Sequence, residues 1–178
     1  MKKLFCILFL FAGTVAAFGQ GSGIPQILDI VEVENENGRG DLEIFNMPAN
    51  GVNHYFLSVG NLGMGDDIVQ LNFDPLYVLF IPLGDTLEES AATIQKIQDL
   101  FKNARGTSFQ IQGNFAAGIP GDRLEPVTIT YRRILLGKAL EFSLQRDGYL
   151  RATYVSKSNF SNLNRGLKLY RKLHQKEL

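Results

Sequence analysis

Two histidines, His54 and His174, are the only imidazoles in the chain, and Cys6 is its only thiol. A Ser-His-Asp relay needs one of those imidazoles beside an activated serine, and no Gly-x-Ser-x-Gly turn occurs to supply it. One cysteine cannot build a disulfide framework or a Cys-based zinc site. His54 opens an alternating segment that shares its face with Phe56 and Ser58, and His174 lies in a cationic tail. Both are expected to be satisfied or solvated rather than catalytic.

The carboxylates fall into two groups, Asp66, Asp67 and Asp74, and Glu32, Glu34, Glu36 with Asp41. Either could in principle supply the acid pair of a glycosidase or an oxygen cage for calcium. Neither has the alternating acids and sixth-position glycine of a calcium loop, so solvated turns are the expectation. Gly60-Asn61-Leu62-Gly63-Met64-Gly65 follows a strand, as a phosphate cradle would. Asp66-Asp67 comes next, however, with no lysine and no helix start, and two negative charges repel phosphate. Arg39-Gly40-Asp41 spells the tripeptide read by integrin-type receptors, yet Gly and Asp belong in turns for backbone reasons. The reading calls for no cofactor and no metal. What remains as a candidate ligand-binding set is Arg132, Glu141 and Tyr154, which a sheet would have to bring together.

The elements that could do so follow from hydrophobic periodicity. Strands are expected over Ile27 to Val33, Leu42 to Phe45, His54 to Val59, Ile68 to Phe73 and Tyr77 to Pro82, with Asn37-Gly38 turning the first pair. Thr86-Leu87-Glu88-Glu89 has the form of a capping box. It opens a helix whose stripe is Leu87, Ala91, Ile94, Ile97, Leu100, Phe101 and Ala104, with Glu88, Gln95, Asp99 and Lys102 in water. Four more strands are expected: Ser108 to Gln112, Val127 to Leu135, Ala139 to Gln145 and Tyr149 to Val155. Gly137-Lys138 and Asp147-Gly148 serve as two-residue turns among them.

With those turns, Ile129, Tyr131 and Leu135 share a face with Leu140, Phe142, Leu144 and Val155. Thr128, Thr130, Arg132, Glu141, Ser143, Gln145, Ala152 and Tyr154 take the other face, either hydrated or covered by a second layer. A closing helix spans Phe160 to Leu173, with Phe160, Leu163, Leu167, Tyr170 and Leu173 inward and Gly166 weakening it. From Tyr77 onward the order of strand, helix, four strands and helix resembles the half-repeat of TATA-binding-protein-like folds. That resemblance lies in element order alone and implies no function.

Met1-Lys2-Lys3, the apolar run Leu4 to Ala12 and the small residues up to Gly19 have the three parts of a secretory signal peptide. Residues 1–19 are therefore expected to leave, taking Cys6, and 20–178 to form one domain. Its destination would be secreted or periplasmic, in a bacterial cell. A bilayer span needs about 20 apolar residues, so no transmembrane segment is expected after removal.

Of the 178 residues, 18 are basic and 18 acidic. They are unevenly placed: 12 acidic and one basic residue lie in 20–89, against 15 basic and 6 acidic in 90–178. The balanced total argues against a nucleic-acid partner. Arg165, Lys168, Arg171, Lys172 and Lys176 complement the dipole of the closing helix, and could also meet an anionic surface.

The expected fold is α+β, a mostly antiparallel sheet with one central and one C-terminal helix packed on one face. The expected function is a non-catalytic binding or accessory module. The alternatives are a small carboxylate-based hydrolase and an envelope-associated structural protein that uses the basic C-terminal helix.

Overall fold

The computed structural model describes residues 27–33, 42–60, 63–64, 78–115, 120–121, 123–134, 137–146 and 148–174. The signal-peptide reading, Cys6, Arg39-Gly40-Asp41, the acids 66, 67 and 74 and the expected strand over Ile68 to Phe73 lie outside them. Among the described residues there are nine strands: β1 (Leu28–Val33), β2 (Leu42–Asn46), β3 (Tyr55–Gly60), β4 (Gly63–Met64), β5 (Val78–Gly84), β6 (Ser108–Phe115), β7 (Glu125–Ile134), β8 (Gly137–Arg146) and β9 (Tyr149–Ser156). Helix α1 (Leu87–Asp99) runs into a 3-10 turn at Leu100–Lys102, and α2 (Lys157–His174) closes the described chain. Every strand pairing is antiparallel, in the order β1-β2-β3-β5-β6-β7-β8-β9-β4.

That order shows how far the sheet bends. β3 and β9 are five strand spacings apart, roughly 24 Å if the sheet were flat. Yet β4 begins three residues after β3 ends and pairs Gly63 with Ala152, and three residues reach at most about 10 Å. The sheet is therefore coiled until the edge of β9 meets the chain leaving β3, and the Thr153 hydroxyl donates to Gly60 O at 3.4 Å there.

The enclosed face carries one core. Ile44, Leu57, Leu79, Ile81, Val127, Ile129, Leu140 and Phe142 from the strands meet Ile94 and Ile97 of α1 and Phe160, Leu163 and Leu167 of α2. The stripes read from the sequence hold along most of both helices and fail at their ends. Ala104 is exposed because the helix stops at Lys102, and Leu173, in the last turn of α2, is exposed as well. On the opposite face Phe45, Met47 and Phe56 form a smaller cluster with Phe80. Gly121 lies against the Phe56 ring, tied down by its N–H to Asn114 Oδ1 at 3.0 Å.

Helix α1 begins where the capping box places it: Thr86 Oγ1 accepts from Glu89 N and Glu89 Oε2 accepts from Thr86 N, both at 3.1 Å. The β7–β8 turn departs from expectation. Ile134 pairs with Gly137, so the connection is 135–136 rather than Gly137-Lys138. Seating Ile129 opposite Phe142 and Tyr131 opposite Leu140 outweighs the turn preference of Gly-Lys. The connection moves by two residues, an even number, so no described side chain changes face. Leu135 lies outside the described residues.

Tyr55 supplies a pH dependence. Burial raises its phenol above the ordinary range, and the nearby Tyr170 and Glu88 add to the shift. A group whose folded-state pKa is raised binds more protons folded than unfolded, so its contribution is intact below about pH 10 and lost above it. Thermal melts across that range should show stability falling with pH, and Tyr55→Phe should flatten the fall. An unchanged slope in the variant would refute this.

Candidate functional site

Alternation along β7, β8 and β9 puts every second side chain on the face away from the helices, and the register then decides which of them meet. Thr130, Glu141 and Tyr154 are direct cross-strand partners, with Arg132 one step along, opposite Ala139. The three expected binding residues therefore converge. Arg132 donates from Nη2 to Glu141 Oε1 at 3.0 Å and from Nε to Oε2 at 3.2 Å, while the Tyr154 hydroxyl donates to Oε2 at 2.8 Å.

Glu141 is buried, with both oxygens accepting, whereas Arg132 and Tyr154 stand exposed on either side of it. The hydrogen bond to Glu141 is the main reason that the Arg132 pKa is raised above its ordinary value. A guanidinium has five N–H donors. Two are used on Glu141, and the rest have no partner among the described residues. The floor around the cluster is small and polar: Thr130, Ser143 and Ala152 are buried, and Ser143 Oγ donates to Thr128 O at 3.3 Å. The face is thus neither bare nor fully hydrated.

His54 does find a carboxylate, with its Nδ1 2.8 Å from Asp85 Oδ1. Sequence reasoning missed this pair because 31 residues separate the two and only the ladder of β3 with β5 joins them. Both side chains are exposed, and the pair has no serine partner among the described residues, so it has the geometry of a surface hydrogen bond beside the start of α1.

An open groove of about 600 Å³ runs between the end of α1 and β6, lined in part by Gln95, Lys96, Asp99 and Phe109. Its acid is already engaged: hydrogen bonds from Lys102 and then Gln95 hold the Asp99 carboxyl below its usual range. Lys96 sits 4.8 Å from the centre of the Phe109 ring. Among the described residues no group of three or more His, Cys, Asp or Glu side chains could hold a metal ion.

On α2, Arg171 reaches Glu88 at 3.1 Å and joins the acidic and basic parts of the chain, while Arg165, Lys168, Leu169, Lys172 and Leu173 are exposed. No helix among the described residues is long and apolar enough to cross a membrane. No family model, curated protein or solved structure matches the chain.

Proposed function

We propose that this chain is a non-catalytic binding or accessory module, secreted or periplasmic, that takes a carboxylate- or phosphate-bearing ligand at Arg132. One observation carries the reading: Glu141 is held from both sides, by Arg132 and by Tyr154. A hydrolase built on Glu141 would need one of its oxygens open to substrate. As a positioning residue, by contrast, Glu141 fixes the plane of the guanidinium and leaves the remaining N–H groups of Arg132 facing outward, a fork suited to bidentate anions. Tyr154 stands 41% exposed beside it and can add an apolar ring to the contact. The leader-like start of the chain supports the destination.

The experiment is calorimetric titration of citrate into the protein. Saturable binding is expected, weakened at least ten-fold by Arg132→Gln, about the loss of one charge-assisted hydrogen bond. Equal binding by the variant would reject Arg132 as the contact.

A further inference from the structure

The sheet ends at one pole in a set of cations that has no acidic ion-pair partner among the described residues. Arg133 and Lys138 are direct partners across the β7–β8 hairpin. Lys157 follows Ser156, which pairs with Ala139 one step along. On the other flank, Thr107 N–H bonds to Ala104 O at 3.1 Å and closes a turn. The same turn is stitched to Tyr131 by Gly106 N–H to Tyr131 O and Tyr131 N–H to Thr107 O, both at 2.9 Å. Arg105, inside that turn, therefore sits beside the end of β7. All four side chains are exposed, and none forms an ion pair among the described residues.

Like charges directly opposite in a ladder destabilise it, so Arg133 against Lys138 is a cost that no ion pair among the described residues offsets. Ile134 follows Arg133 at the end of β7 and is 37% exposed, which puts an apolar side chain at the same pole, on the face that Arg132 takes.

We propose that this pole is a docking surface for the anionic headgroups of a phospholipid bilayer. Size separates a bilayer from a small anion. Four adjacent strands span roughly 14 Å, too wide for one phosphate to touch every cation but matched to a plane of headgroups. The exposed Ile134 suits the boundary between headgroups and acyl chains better than it suits a purely acidic protein face. The surface is distinct from the anion site proposed at Arg132. Register puts Arg133 and Lys138 on the other face of the hairpin, so either surface can fail without the other.

The test is co-sedimentation of the full chain with phosphatidylglycerol-containing vesicles and with pure phosphatidylcholine vesicles. Binding is expected only to the anionic vesicles and should weaken as salt is raised. Each cation near such a surface contributes about five-fold in partitioning, so Arg133→Gln with Lys138→Gln should lose about 25-fold. Arg105→Gln with Lys157→Gln should lose a similar factor. All four residues are exposed, so the variants should melt no lower than the parent, and relief of repulsion should raise the melting point of the first pair. Lys172→Gln with Leu173→Ser, on α2, should sediment like the parent. Equal binding to neutral vesicles would overturn the proposal, as would loss only in the α2 variant or capture of soluble polyphosphate without vesicle binding.

Discussion

Phe160→Ala should destabilise the protein by about 3–5 kcal/mol, the usual cost of emptying a large buried aromatic site. Phe160 has no measurable exposure, and its ring centre lies 6.5 Å from that of Phe142 on β8, so the residue fastens α2 to the sheet. Against a typical total of roughly 5–15 kcal/mol this is a large fraction. The melting point should fall by roughly 6–20 °C, at 2–4 °C per kcal/mol for a chain of this size. Deleting everything after Ser158 removes Leu163 and Leu167 as well and should leave no cooperative transition. If instead Phe160→Ala melted within 2 °C of the parent, roughly the effect of half a kcal/mol, α2 would be an appendage and not part of the core.

Gly84→Ala should act at the other end of the core, costing about 2–5 kcal/mol from backbone strain and crowding together. Gly84 has φ +121°, a conformation that favours glycine. A methyl group there would lie 2.6 Å from Glu89 Cβ and 2.7 Å from Glu89 Oε2, the oxygen that caps α1. The substitution therefore strains β5 and pushes away the carboxylate that satisfies the backbone N–H groups of Asp85 and Thr86. Combining it with Glu89→Ala tests the mechanism by urea melts. The single variants should be sub-additive, because Glu89→Ala removes the carboxylate that the new methyl group pushes away and leaves only the contact with Cβ. Strict additivity would mean that the two residues do not meet.

How much of this was legible in sequence depends on whether a feature is local. The capping box at Thr86, the strand alternation from Thr128 to Tyr154 and the inward stripe of α2 each follow from short-range pattern, and the structure has them. Arg132, Glu141 and Tyr154 could be grouped in advance because parity along strands survives a shift of two residues in the turn. Features that depend on who the neighbour is were out of reach. Gly166 looks like a flaw in a helix, but a Cβ there would lie 2.6 Å from a methyl of Val31, so glycine is what lets α2 lie close against β1. The His54–Asp85 pair and the meeting of Arg105 with the β7–β8 hairpin arise from ladders between distant segments. The pairing of β4 with β9, which reveals the coiling of the sheet, involves only two residues on each strand and leaves almost no pattern to detect.

Glu141 acts as a support for Arg132 and not as a reacting group in the proposed site. Following the Arg132 Nε–H resonance during a citrate titration, in the parent and in Glu141→Gln at constant pH, puts that to the test. The parent resonance should move saturably, and the variant should show a loosened guanidinium with affinity reduced about ten-fold, the loss of a charge-assisted hydrogen bond. A parent resonance that citrate leaves unmoved, or a variant that binds as tightly as the parent, would contradict it.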